Sequence, residues 1–282
     1  MIWLALAIAA YLLGSIPFGL LIGKAQGIDI REHGSGNIGA TNLGRVLGKR
    51  FFFVCFFLDL SKGLAPTLIA GSIMGTLGRF SIETSDALGW LLVMLCAVFG
   101  HLFSPWIGFR GGKGVATALG ALLGMFPAMT APGFGALVVF LVVLALWRYI
   151  SLASVMAAIS LPFWTWFIFS QFQTREMIRR RDHPQWADLP TEELQIAVPY
   201  AGAPFVFVAA ALAGLVIYKH RSNLSRLMRG TEPTIGSKHA RLGSPEQGES
   251  LTGSLDRGKP AEDGESGEGS SSDDPIGQTP KD

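Results

Sequence analysis

Charge is scarce in this chain. Of its 282 residues only 16% are Asp, Glu, Lys or Arg, whereas 49% are hydrophobic, a balance too apolar for a soluble protein of this size. Cysteine is scarcer still. Cys55 and Cys96 are the only two, and both lie inside apolar runs, which excludes a disulfide framework. The N-terminus MIWLALAIAA lacks the basic residues that open a cleavable secretory signal, so its apolar run is expected to be retained as a first span. The apolar runs are continuous rather than alternating, which excludes a transmembrane β-barrel. No internal repeat of the kind that marks many transporters is visible. No grouping of His, Cys, Asp and Glu has metal-ligand spacing, so neither a metal nor another cofactor is expected. A net charge of +2 gives no cause to expect a nucleic-acid partner.

What is present reads as an all-α integral membrane protein. A helical span needs about 20 mostly apolar residues. Seven segments qualify, at roughly 2–23, 51–74, 88–107, 115–130, 132–147, 152–171 and 196–218, the fourth being short and rich in Gly and Ala. The stretches after the first, third, fifth and seventh carry Lys24, Arg31, Arg45, Lys49 and Arg50; Arg110 and Lys113; Arg148; and Lys219, Arg221, Arg226 and Arg229. By the positive-inside rule these four lie on the cytoplasmic face, with the N-terminus outside and the C-terminus inside. The loop 173–195 has four arginines yet falls on the outer face by this count, and it is expected to be a polar insertion. Residues 1–232 form the membrane domain. Residues 233–282 hold almost no large apolar side chain and are expected to be a disordered polar tail.

Two glycine-rich polar loops interrupt this apolar chain on the same face. In GFRGGKGVAT, residues 108–117, the glycine backbone can turn amides toward one point, and Val115 opens a helix whose N-terminus favours an anion. Lys113 adds a full charge there, so Gly111, Gly112, Lys113 and Gly114 form a candidate phosphate site. The Walker A pattern is not met, because Gly114 stands where Ser or Thr should follow the lysine. The loop EHGSGNIGATNLGRVLGKR, residues 32–50, sets Ser35, Asn37, Thr41 and Asn42 around Arg45. Small hydroxyl and amide groups beside one guanidinium suit a polyol phosphate; the plainer reading is a capped turn between helices.

Three further features carry polar chemistry. Asp59 and Lys62 lie three residues apart inside the second span, and ionisable groups there do not face lipid. They form either a structural pair or part of a site. Ser151 and Ser154 follow Arg148 at the start of another span, as helix caps or as pocket lining. His220 and Asn223 share a helix face after the last span, among Lys219, Arg226 and Arg229.

The combination GSGNIGATN with Arg45, then GHLFSPWIGFRGGKGVAT, RYISLAS and HRSNLSRLMRGTEP, in this order between spans, closely resembles the PlsY family of bacterial membrane acyltransferases. The similarity runs from about Ile2 to Glu232; the insertion 173–195 and the tail depart from it. The resemblance implies a seven-span protein of the cell inner membrane, in phospholipid biosynthesis. Its site would lie on the cytoplasmic face and transfer a fatty acyl group from acyl phosphate to the 1-hydroxyl of sn-glycerol 3-phosphate. It implies that Ser35 and Arg45 are the key polar groups of the first loop and that the loop around Lys113 holds phosphate. His220 and Asn223 would contact glycerol phosphate, and Glu232 would be structural. An upstream enzyme forming acyl phosphate would supply the donor.

Acyl phosphate is a mixed anhydride with a good leaving group, so alignment and charge compensation by Arg45 and Lys113 would suffice without a strong general base. His183 and Asp188 match the H-x4-D pattern of a different acyltransferase superfamily, but this copy lies in the insertion and lacks the accompanying motif. The rival reading is a transporter for an organic phosphate. It predicts polar groups at the membrane midplane, whereas here they gather at one face.

Overall fold

The computed structural model describes residues 1–183, 190–193 and 201–236. Among the described residues the regular structure is helical throughout: α1 Ile2–Gly14, α2 Phe18–Ala25, α3 Ala40–Leu47, α4 Lys49–Ile73, α5 Thr84–Leu102, α6 Val115–Gly124, α7 Thr130–Trp147, α8 Ile150–Arg181, α9 Ala203–Lys219 and α10 Arg221–Met228. Five segments are long and apolar enough to cross a membrane, namely Ile2–Ala25, α4, Thr84–Ile107, α7 and α8; α9 with α10 makes a sixth, bent by 58°. Large apolar side chains such as Leu12, Phe57, Phe134, Leu141, Phe163 and Phe207 are exposed, an outer surface suited to lipid rather than water.

The helices approach through glycine, as expected where lipid removes the hydrophobic drive and close backbone packing takes over. A Cβ on Gly14 of α1 would lie 2.1 Å from the Ala97 carbonyl of α5, and one on Gly63 of α4 would lie 2.0 Å from the Thr117 carbonyl of α6. Trp90 is fully buried and donates its Nε1–H to the Thr67 carbonyl at 2.8 Å, tying α5 to α4.

The fourth expected span, 115–130, is not one long helix. α6 has ten residues, about 15 Å of helix against the roughly 30 Å of a bilayer core. A turn around Pro127 carries it further: the Phe126 carbonyl accepts the Gly78 amide at 2.9 Å, at the connection between α4 and α5. A short helix plus this turn thus reaches the level where α4 ends. The insertion also differs from expectation over its first part. α8 continues to Arg181, because Glu176 pairs with Arg179 at 3.1 Å and Arg180 at 3.2 Å, the spacing that supports a helix, and cations suit a helix C-terminus. Asp188 lies outside the described residues, and with it the His183–Asp188 pair.

The first span is broken between Gly14 and Phe18, where Pro17 precedes α2. A break inside a membrane strands backbone carbonyls that need donors. Ser104 Oγ donates to the Ser15 carbonyl at 2.6 Å, and Lys62 Nζ donates to the Ile16 carbonyl at 2.8 Å. Asp59 neutralises Lys62 at 2.9 Å, both side chains being almost fully buried. The geometry therefore favours the structural reading of this pair.

Candidate active site

Residues far apart in sequence meet at one end of the bundle. Lys113 precedes Gly114, whose φ of +76° begins α6, and its Nζ donates to Asn223 Oδ1 on α10. Asn223 in turn donates from Nδ2 to Glu232 Oε1 at 2.7 Å. Ser151, at the start of α8, donates to the same oxygen at 2.9 Å, and Arg226 Nε donates to Glu232 Oε2 at 2.8 Å. A carboxylate only accepts, so Glu232 fixes the Asn223 amide with its NH2 turned inward and its oxygen toward Lys113. Asn223, Ser151 and Glu232 are buried.

Electrostatics follow from this crowding. Burial pulls the Lys113 ammonium down to about 8; Glu232 opposes the change, while Arg226, Arg45 and Lys219 add to it. Burial works against ionisation of Glu232, but the hydrogen bonds from Asn223, Ser151 and Arg226 outweigh it and hold its carboxyl below the usual glutamate range. Arg45 on α3 feels Glu232 and Arg226. Three cations, Lys113, Arg45 and Arg226, thus act on one carboxylate, an imbalance that favours an incoming anion. His220, buried at the joint between α9 and α10, holds Nδ1 2.8 Å from the Val216 carbonyl. Nδ1 therefore carries the proton and Nε2 is the basic nitrogen.

The first glycine-rich loop is organised by Asn42. Its Oδ1 accepts the Ser35 amide at 2.8 Å, and its Nδ2 donates to the carbonyls of Ile30 at 3.3 Å, His33 at 3.0 Å and Asn37 at 2.9 Å. Asn37 Oδ1 accepts the Gly39 amide at 2.9 Å. Ser35 is held exposed on the loop, and Thr41 is half-buried at the start of α3.

The second loop rests on His101. A Cβ on Gly111 would lie 1.9 Å from the His101 carbonyl, and one on Gly112 would lie 2.3 Å from His101 Nε2. The His101 Nδ1 lies 3.6 Å from Asp59 Oδ1, so the loop sits on the Asp59–Lys62 pair through one imidazole.

A family model described as glycerol-3-phosphate acyltransferase matches residues 4–230. A glycerol-3-phosphate acyltransferase of Thermosynechococcus vestitus is 42% identical over 238 residues, covering 82% of this chain and 94% of its own. That of Aquifex aeolicus is 40% identical over 236 residues, covering 81% and 97%. The crystal structure of PlsY (YgiH), an integral membrane glycerol 3-phosphate acyltransferase, in its glycerol 3-phosphate form superposes with a TM-score of 0.62 at 34% identity, over 84% of this chain and 96% of that one. Its lysophosphatidic acid form gives 0.61. The chain belongs to the glycerol-3-phosphate acyltransferase family.

Within this acyltransferase fold the residues singled out from sequence divide by position. Lys113, Asn223, Ser151, Glu232 and Arg45 meet, with His220 beside them. Asn37 and Asn42 are occupied inside their own loop. The Ser154 hydroxyl donates to the Ile150 carbonyl of its own helix at 2.8 Å. Gly111 was expected to offer its amide to phosphate, but that amide donates to the Leu102 carbonyl at 3.2 Å. Packing on His101 accounts for glycine at 111 and 112.

Two contributors were missed. Arg226 was read only as part of a basic helix, although it stands one turn from Asn223. His101 lies in the apolar run LLVMLCAVFGHLF, and an ionisable residue at membrane depth is itself a signal.

Proposed function

We propose that this chain transfers a fatty acyl group from acyl phosphate to the 1-hydroxyl of sn-glycerol 3-phosphate, releasing lysophosphatidate and inorganic phosphate for phospholipid synthesis. The observation that carries the reading is the buried Lys113–Asn223–Glu232 junction flanked by Arg45 and Arg226. It is a cation-rich cluster in a bundle whose outer surface suits lipid, a combination that suits one substrate from water and one from the bilayer. The named relatives support the acceptor, and the two solved forms of PlsY, with glycerol 3-phosphate and lysophosphatidic acid, correspond to acceptor and product.

The donor is inferred from chemistry. Glu232 is engaged by Asn223, Ser151 and Arg226 rather than by His220. The carboxylate–imidazole pair Asp59–His101 is buried beneath the second loop. A site without a strong base at its cationic centre suits a donor that is already activated. The 1-hydroxyl oxygen bonds to the acyl carbon, the acyl C–O bond to phosphate breaks, and inorganic phosphate departs with that electron pair. Lys113 and Arg45 offset the repulsion between two anionic substrates and steady the leaving group. Ser35 and Thr41 face the polyol, and Gly114 with the first turn of α6 receives phosphate. The hydroxyl proton passes to His220 Nε2 or to a departing phosphate oxygen. A His220→Gln variant with normal kcat and raised KM eliminates the histidine as acceptor.

The site lies on the cytoplasmic face of a bacterial inner membrane, with seven crossings and the N-terminus outside; beyond Gly236 the polar tail expected over 233–282 lies outside the described residues. A cysteine placed at Arg179 should then react with an impermeant reagent outside intact cells; labelling only after lysis would reverse this orientation. For the activity, purified protein is supplied with glycerol 3-phosphate and either acyl phosphate or acyl-coenzyme A. Lysophosphatidate with equimolar phosphate is expected from acyl phosphate alone. Product from the thioester only would refute the donor, and vesicle uptake of glycerol 3-phosphate without product would favour the transporter.

A further inference from the structure

The chain does not leave the site after α10. Gly230 turns it at φ +69°, and the Thr231 amide returns to the Arg226 carbonyl at 2.9 Å. Glu232 then enters the network. Three residues on, the chain is fastened again: the Ile235 amide donates to the Arg148 carbonyl at 2.9 Å, and Arg148 Nη2 donates to the Ile235 carbonyl at 3.0 Å. One residue thus gives and receives a hydrogen bond with the same partner. Arg148 holds this position at φ +60°, in the left-handed region, between α7 and α8.

Glu232 is therefore bracketed, by Thr231 on Arg226 and by Ile235 on Arg148. The family match ends at residue 230 and the resemblance at Glu232, so the clip at Ile235 lies beyond both. We propose that Thr231–Gly236 is a strap whose two-point clip to Arg148 holds Glu232 against Asn223 and Ser151, making Arg148 a positioning residue for Lys113. The inference rests on the catalytic reading given above. The causal chain is short: the clip fixes the Glu232 carboxylate, the carboxylate orients the Asn223 amide, and the amide oxygen holds the Lys113 ammonium. Once Glu232 swings away, the Asn223 amide is free to flip and present its NH2 to a cation. Arg148 and Ile235 are exposed, so the clip contributes little stability and its loss registers in function rather than in folding.

Two nested truncations, and two substitutions in the full-length protein, test this. One chain ends after Gly236 and keeps the strap; another ends after Pro233 and loses it. Arg148→Gly removes the guanidinium while keeping a residue at ease with positive φ, and Arg148→Lys retains a donor. Two readouts are taken: kcat/KM with acyl phosphate and glycerol 3-phosphate, and the pH at which Lys113 is half-modified by an amine reagent without substrate, read by mass spectrometry. Ending after Gly236 should change neither. Ending after Pro233, or Arg148→Gly, should lower kcat/KM by about 10- to 100-fold, the cost of a misplaced positioning group. Both should also move the Lys113 midpoint to lower pH, because Glu232 favours the protonated lysine. Arg148→Lys should recover part of both. Wild-type values for the chain ended after Pro233, or for Arg148→Gly, would overturn the strap. Were wild type to lack acyl transfer altogether, the catalytic reading would fail, while the Lys113 midpoint would still decide the strap.

Discussion

Replacing Gly112 with alanine tests whether the loop that carries Lys113 is seated by packing. The added Cβ would lie 2.3 Å from His101 Nε2, 3.0 Å from Cε1 and 3.3 Å from Cδ2, where ordinary contact begins at 3.4 Å. Something must therefore move by 3.4 − 2.3 = 1.1 Å. The imidazole has little room. It is 4% exposed and backed by Asp59, which Lys62 holds at 2.9 Å while itself bound to the Ile16 carbonyl at 2.8 Å. The loop yields instead, and Lys113 is its next residue. Overpacking of this kind costs about 1–3 kcal/mol, which a domain with roughly 5–15 kcal/mol of stability tolerates. The functional cost is larger, because misplacing a clamping group by about 1 Å lowers rate on the order of 100-fold. The assay is kcat/KM for glycerol 3-phosphate, with thermal unfolding in detergent as the control for folding. Adding His101→Ala to Gly112→Ala removes the ring that the methyl strikes, and it should restore part of the lost activity. Wild-type kcat/KM in Gly112→Ala would refute the reasoning, and so would a double variant whose losses simply add.

Lys113 leads to a pH prediction. In the proposed reaction its ammonium holds phosphate oxygens, and burial lowers it to about 8, so the proton is lost as pH rises through that value and kcat/KM should fall above it. Lys113→Arg keeps its charge at every accessible pH and should abolish that alkaline limb; a wild-type profile flat to about pH 10 would contradict the assignment. Lys62→Met deprives Asp59 of its nearest cation and the Ile16 carbonyl of its donor. Breaking a buried pair from one side costs about 3–5 kcal/mol, which denaturation in detergent should register; an unchanged midpoint would deny the pair its structural role. Asn42→Ala removes four hydrogen bonds that hold the first loop. At a net of about 0.5–1.5 kcal/mol each, the loss should total about 2–6 kcal/mol, with faster amide exchange at Ser35; unaltered exchange there would count against it.

Much of the helical layout and of the candidate site was visible in one dimension, for reasons that are local. Apolar runs of about 20 residues mark helices whether or not their neighbours are known, and α4, α5, α7, α8 and α9 lie where those runs lie. Polar loops rich in glycine at the ends of such runs stand out by contrast, so Arg45, Lys113, His220 and Asn223 could be named without coordinates. What could not be read are features set by another segment. α6 stops at Gly124 because the chain turns to reach Gly78. Gly111 and Gly112 look like a phosphate cradle until His101 is seen beneath them.

Composition and hydropathy by themselves determined that this chain spans a bilayer as helices, since the cost of an unpaired peptide group in hydrocarbon leaves few alternatives. Only the tertiary structure decided which polar groups share a site. Lys113 and Asn223 are separated by 110 positions, and Arg148 and Ile235 by 87. Contacts over such separations depend on how glycine-lined helices pack side by side, and no local pattern records that.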